Sequence, residues 1–176
     1  KSEWRTMVDD YRAQNEQVMK LRNGNPLQFD INGRETLKMK QLDVMLESAC
    51  TSLQLHLQVA IDRAVDIYNA SILLSGPIVA ACANSPYLFG NELWDETRIS
   101  LFEQAVELGD NNHRRVTLGN DYIKASMLEC FEENLEHYPV LVPFLEETEM
   151  HQLAHLRFHN GTIWRWNRPL IGFNQQ

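Results

Sequence analysis

The stretch Ser52-Leu53-Gln54-Leu55-His56-Leu57-Gln58-Val59 alternates polar and apolar residues without a break. A period of two belongs to a β-strand, so Leu53, Leu55, Leu57 and Val59 are predicted on one face and Gln54, His56 and Gln58 on the other. A sheet with one face on a helical core and the other on water accounts for the pattern without any function. The polar face, however, carries amides and an imidazole in place of the lysines, threonines and glutamates of a solvated surface. Such groups suit metal-bound phosphate or another polar ligand.

Upstream, Trp4, Met7, Val8, Tyr11, Val18 and Leu21 recur at helical spacing over residues 3–22, and Asn23-Gly24-Asn25-Pro26 predicts the stop. Residues 27–31 alternate like a strand, Asn32-Gly33 reads as a hairpin turn, and a second short strand is predicted over 36–40. Downstream, Ile61, Val65, Tyr68 and Ile72 predict a helix over 61–74. Pro77, at a first-turn position, starts a second helix to about residue 83. Asn84-Ser85-Pro86 stops it. A helix over 94–108 places Ile99, Phe102, Ala105 and Val106 on one face, and a polar loop follows over 109–119. A long helix over 120–137 is capped by Asn120 or Asp121, with Ile123, Met127, Phe131 and Leu135 inward. Ala154-Leu156-Phe158 alternate with His155-Arg157-His159, and Asn160-Gly161 turns this predicted strand into another over 163–167. Helices packed against a few antiparallel strands make the class α+β, mostly helical in this chain.

The 176 residues suit one domain or a large piece of one. An apolar fraction of 44% and a charged fraction of 23% belong to a globular chain and argue against disorder. Sixteen basic against 24 acidic side chains leave a formal charge of -8, and no lysine-arginine run offsets it, which argues against nucleic acid as a partner. Cys50, Cys82 and Cys130 are widely spaced and form no CxxC pair, so reduced, buried thiols in a cytoplasmic protein are expected. The longest apolar run, residues 72–83, is shorter than the roughly 20 residues of a membrane span, and no secretory signal precedes it. The chain starts at Lys1 inside a predicted helix and is expected to be an excised segment.

Two further candidate sites stand out. In Ala83-Asn84-Ser85-Pro86-Tyr87, followed by Gly90 and Arg98, the Asn-Ser-Pro run is by spacing a helix stop, while the fork of the Arg98 guanidinium suits a carboxylate or phosphate held by two bonds. In the run from His155 to Pro169, His155 and His159 resemble metal ligands, but a catalytic zinc needs a third that cannot be placed. A two-residue turn at Asn160-Gly161 puts Arg165 on the side of Leu156 and Phe158. A three-residue loop reverses this, so whether Arg165 or Arg168 faces inward stays open. Glu132, Glu133 and Glu136 read as a solvated face. Walker, Rossmann, HExxH and serine-elbow signatures are absent.

Taken in order, Met45 to Val59, Ala83-Asn84-Ser85-Pro86-Tyr87 through Gly90 to Arg98, and His159-Asn160-Gly161-Thr162-Ile163-Trp164-Arg165-Trp166-Asn167-Arg168-Pro169 resemble the bacterial and plant-type glutamate–cysteine ligases and their carboxylate-amine ligase relatives. The resemblance runs from the first helix to Phe173. It implies a fold similar to glutamine synthetase, in which an antiparallel sheet lines a funnel with helices behind it, and makes residues 1–176 the central part of a larger catalytic domain. It implies an ATP- and Mg²⁺-dependent ligase joining the carboxylate of glutamate to an amine such as that of cysteine through an acyl phosphate, in the cytoplasm and in glutathione biosynthesis. On that basis Gln54 and His56 face nucleotide phosphate and metal, with His56 the metal ligand. Asn84 and Ser85 edge the substrate site, Arg98 grips the amino-acid carboxylate, and Arg165 and Arg168 lie near the phosphates, with Arg98 and Arg165 catalytic. The paired glutamates that hold Mg²⁺ in relatives, and a later strand with a glutamate and an arginine, are missing between Lys1 and Gln176. The chain alone is therefore expected to be inactive. The alternatives are a binding or interaction module that keeps the fold, and a metal-dependent hydrolase using His155 and His159.

Overall fold

The computed structural model describes residues 12, 15–42, 45–48, 50–108, 114–141 and 149–172. The elements in chain order are β1 (Leu27–Asn32), β2 (Thr36–Gln41), α1 (Met45–Ser48), α2 (Ala64–Cys82), β3 (Tyr87–Leu88), β4 (Asn91–Glu92), α3 (Thr97–Ala105), α4 (Leu128–His137) and α5 (Ala154–Gly161). Tight 3-10 turns occupy Ile61–Arg63 and Met150–Gln152. The chain divides into two compact units, Lys1–Leu55 with Pro77–Arg114, and His56–Gly76 with Arg115–Gln176.

In the first unit residues 15–21 are helical, and the predicted stop lies where Asn23 and Gly24 take positive φ of 54° and 72°. Gly24 N donates to Met19 O and closes the end, as a left-handed cap does. Trp4, Met7, Val8 and Tyr11 of the predicted helix lie outside the described residues. Strands β1 and β2 pair antiparallel, Leu27 against Gln41 and Asn32 against Thr36. The predicted alternation is realised: Leu27, Phe29 and Ile31 are buried, and Gln28, Asp30 and Asn32 are exposed. Gly33 has no positive φ. Glycine is required there because a Cβ would come within 2.6 Å of Leu93 Cα and O.

The core of this unit joins Leu27, Phe29 and Ile31 to Leu46, Leu93, Leu101 and Ala105. Of the residues predicted on the inner face of α3 and its end, Ala105 and Val106 are buried while Ile99 and Phe102 are half-buried, and Thr97, Ser100 and Leu101 are buried beside them. The end of α3 is capped by buried Arg22, whose Nη2 donates to Ala105 O (3.1 Å) and Nε to Glu107 O (2.6 Å). The β3–β4 hairpin went unread in the sequence. Its turn residues Phe89 and Gly90 both take positive φ (48° and 82°), as a two-residue hairpin of the primed type requires, and phenylalanine gives no signal for that conformation.

The predicted strand over 52–59 is not formed. Residues 51–60 have no regular structure and are exposed, with Leu53 at 85%, Leu55 at 77% and Leu57 at 72%. An alternating segment becomes a strand only when a neighbour takes its N–H and C=O groups, and among the described residues no strand pairs with this one. The helix after it is a single element that continues through Pro77, where two helices were predicted. Only Ala64 and Tyr68 of α2 are buried. With its preceding 3-10 turn it spans 22 residues, with a mean hydropathy of 1.4 in a stretch only 6% buried, and is by length and composition long and apolar enough to cross a membrane.

In the second unit Tyr68, Ile123 and Cys130 form a buried cluster flanked by Val65, Ile72 and Met127. Helix α4 starts at Leu128, eight residues after the predicted cap at Asn120. The cause is competition for backbone donors. Tyr122 N donates to Asp121 Oδ1, Ile123 N to Asn69 Oδ1, and the N–H groups of Lys124, Ala125 and Ser126 to the Glu129 carboxylate. Those three donors lower the pKa of Glu129. Leu135, expected inward, is exposed, and Asn134 is buried instead. Residues 154–161 form α5 where a strand was predicted, so Asn160-Gly161 ends a helix and makes no hairpin. The chain is α+β, its strands lying in two separate two-stranded sheets among the described residues.

Candidate functional site

Arg98, in the first turn of α3, is the centre of the most developed polar cluster in the first unit. Its Nε donates to Glu96 Oε1 (2.6 Å) and Ser85 Oγ (3.2 Å), and its Nη2 to Glu96 Oε2 (2.6 Å) and Asn84 Oδ1 (2.8 Å). Its Nη1 donates to Thr51 O (2.6 Å). The guanidinium thus holds the Glu96 carboxylate side-on by two parallel bonds, an arrangement that favours both charged forms.

Local backbone pairing brings these residues together. Ser85 forms a parallel bridge to Glu96, with Ser85 N donating to Asp95 O and Thr97 N to Ser85 O, both at 3.1 Å. Thr97 is buried, and its Oγ1 donates to Trp94 O, which fixes the entry into α3. The Asn-Ser-Pro run is therefore more than a helix stop, because it seats the serine hydroxyl and the asparagine amide on the arginine. Ser85 Oγ also donates to Glu96 Oε1. Through its bond with Arg98, which outweighs partial burial, and the Ser85 contact, the Glu96 carboxyl is held down to about 2. Its partner Arg98 is raised, chiefly by Glu96. The pair is reachable from solvent, with side-chain exposures of 32% for Arg98 and 14% for Glu96.

Asn84, Ser85 and Arg98, predicted from separate positions, are thus joined, and Glu96 and Thr51 complete the cluster. Neither was read from the sequence, although a carboxylate two residues before an arginine at a helix start was a usable signal for Glu96. Gln54 and His56 are exposed on the irregular segment 51–60, not on a sheet face. Among the described residues no group of three or more His, Cys, Asp and Glu is placed to hold a metal ion. Cys50, at the edge of the Arg98 cluster, has its thiol pushed up to about 11, by burial and then by Glu47, and is not poised as a nucleophile. Cys82, expected to be buried, is exposed.

Arg165 and Arg168 belong to the second unit. Arg165 is the inward one, with its side chain only 1% exposed. Its Nη2 meets Glu133 Oε2 (2.9 Å), and its Nε and Nη2 both donate to Asn134 Oδ1 (3.1 and 2.9 Å). Burial lowers its pKa, but the Glu133 contact outweighs this and the net shift is upward. Glu133 is therefore the counter-ion of a buried arginine and not part of a solvated face. Gly119, at φ 96°, leaves the space that Arg165 Nη1 fills, since a Cβ there would collide with it. Half-buried Arg168 donates from Nη1 to Gly161 O (3.3 Å), and burial lowers its pKa. His155 and His159 sit one turn apart on α5, the first exposed and the second buried with Nε2 3.3 Å from Asn134 O.

A cleft of about 420 Å³ in the first unit, lined by Arg22, Asn25, Leu27, Gln28 and Glu107 among others, includes none of the predicted site residues. Comparison with known proteins matches no curated protein and no solved structure. It does match a family model, described as glutamate-cysteine ligase family 2, over residues 7–118. The matched span takes in Gln54, His56 and the whole Arg98 cluster and stops short of Arg165 and Arg168. With well over half of its length inside that match and a carboxylate-gripping arginine within it, the chain belongs to glutamate-cysteine ligase family 2.

Proposed function

We propose that this chain is part of an ATP-dependent ligase that joins the carboxylate of glutamate, or of a similar acid, to an amine such as that of cysteine. In the first step a carboxylate oxygen attacks the γ-phosphorus of ATP and ADP leaves. In the second the amine attacks the acyl carbon, phosphate leaves, and an amide forms. The barrier to such chemistry falls chiefly through positioning and neutralisation of charge. One observation carries the reading: within a chain of this family, Arg98 holds a carboxylate, that of Glu96, side-on through two donors spaced for such a group. Asn84 and Ser85 would orient the acid in that grip.

The remaining assignments follow from the resemblance. Gln54 and His56 are proposed toward nucleotide phosphate, and Arg168 is the better phosphate candidate of the two late arginines, since the Arg165 guanidinium is closed off by Glu133 and Asn134. ATP and Mg²⁺ are the co-substrate and metal this reading calls for, with His56 proposed as a ligand of the metal. The larger catalytic domain, its glutamine synthetase-like funnel and its cytoplasmic setting belong to the same proposal.

The test is ADP release by the full-length polypeptide containing this chain, supplied with ATP, Mg²⁺, L-glutamate and a panel of amines. Release is expected to require both glutamate and one amine, and Arg98→Ala to raise the glutamate KM or lower kcat. Turnover that ignores glutamate, or no turnover with any amine, would remove the ligase assignment.

A further inference from the structure

Each of the three nitrogens of the Arg98 guanidinium is already engaged. One edge, Nε with Nη2, holds the Glu96 carboxylate, and the other, Nη1 with Nη2, is turned to Thr51 O and Asn84 Oδ1. An incoming carboxylate therefore cannot take a two-bond grip on Arg98 unless a present partner leaves. Displacing Thr51 and Asn84 would put two carboxylates on one guanidinium, and like charges that close disfavour each other. Displacing Glu96 exchanges one carboxylate for another. The charge count at Arg98 is unchanged, and both strong bonds are replaced in kind.

We infer that Glu96 is a built-in occupant of the carboxylate seat, so that Arg98 rests self-satisfied and takes a substrate acid by exchange. Three features of the site fit that role. The pair is partly open to solvent, so an acid can reach it without unfolding α3. The Ser85 hydroxyl that donates to Glu96 Oε1 is left free to donate to the oxygen that replaces it. A released Glu96 side chain stays at the start of α3, where the helix dipole favours a negative charge. Glu96 then sets a threshold, because an acid must bind well enough to evict it, and acids with further contacts are favoured over simple anions. The inference rests on the ligase reading only for the identity of the natural acid.

The test is carboxylate rescue of the vacated seat. Glu96→Ala is made in the full chain, and its thermal midpoint is followed at neutral pH against potassium acetate, with potassium chloride at equal ionic strength as control. A saturable rise of several degrees with acetate beyond chloride is expected for Glu96→Ala, with none for the wild type and none for Glu96→Ala combined with Arg98→Met. Glu96→Ser, whose short side chain also vacates the seat, replaces the alanine variant if that one does not fold, and is expected to show the same acetate response. No acetate-specific rise, or an equal rise without Arg98, overturns the proposal and leaves Glu96 a fixed structural partner. L-glutamate is run in parallel: rescue by acetate but not by glutamate keeps the seat and counts against glutamate as the acid of the ligase reading.

Discussion

Arg98 and Arg165 are both held by a glutamate, yet their surroundings give the two pairs different consequences. The Arg98 pair stands partly in solvent and can exchange partners, whereas the Arg165 side chain is enclosed with Glu133 and Asn134. Removing one member of an enclosed pair leaves the other charge poorly solvated, which costs about 3 kcal/mol. Arg165→Met is therefore expected to lower the thermal midpoint clearly, while Arg34→Met, which breaks ion pairs of the exposed Arg34 with Glu92 and Asp95, is expected to change it little. Equal shifts in a thermal melt would show that the Glu133–Asn134 cluster holds nothing together. The sequence marked Arg98 by its neighbours Asn84 and Ser85, since those groups lie close along the chain. It could not decide between Arg165 and Arg168. That choice depended on the turn at Asn160-Gly161, and the helix actually formed there removes both of the strand geometries considered.

At the scale of elements, the hairpin β1–β2 was legible because its alternation is satisfied locally, with a three-residue loop returning the chain to its own partner strand. The same period over 52–59 needs a partner from far along the chain, and pattern alone says nothing of whether that partner is present. Helix α4 was misplaced for another reason. The Glu129 carboxylate takes the N–H groups of Lys124, Ala125 and Ser126 that would have closed its first turns, and propensity does not register such competition. In α2 the error lay in reading Pro77 as a boundary. A proline inside a helix costs up to about 3 kcal/mol relative to alanine, partly recovered through a stiffer unfolded chain. Pro77→Ala is thus expected to raise both helicity by circular dichroism and the thermal midpoint. A fall in either would mean that the proline ring is needed where it is.

For the molecule as a whole, the order of helices and strands marked the class as α+β, but it held no sign of how much leucine lies at the surface. Leu53, Leu55, Leu57, Leu73 and Leu74 are all more than half exposed, beyond what scattered surface leucines ordinarily amount to. Leu55→Lys with Leu57→Lys is expected to leave the thermal midpoint nearly unchanged, as surface substitutions do, while reducing the binding of a hydrophobic dye and any concentration-dependent association in sedimentation. Loss of folding in that double variant would show that these leucines have a covering layer after all. The path of the chain has its own consequence. It leaves the first unit at Leu55, returns to it at Pro77 partway along α2, and leaves again after Arg114. Neither unit is a contiguous stretch, so no single cut releases one intact and alone. A subclone ended at residue 118, where the family match ends, would keep the Arg98 cluster and carry residues 56–76 as an orphaned length whose natural companions begin at Arg115.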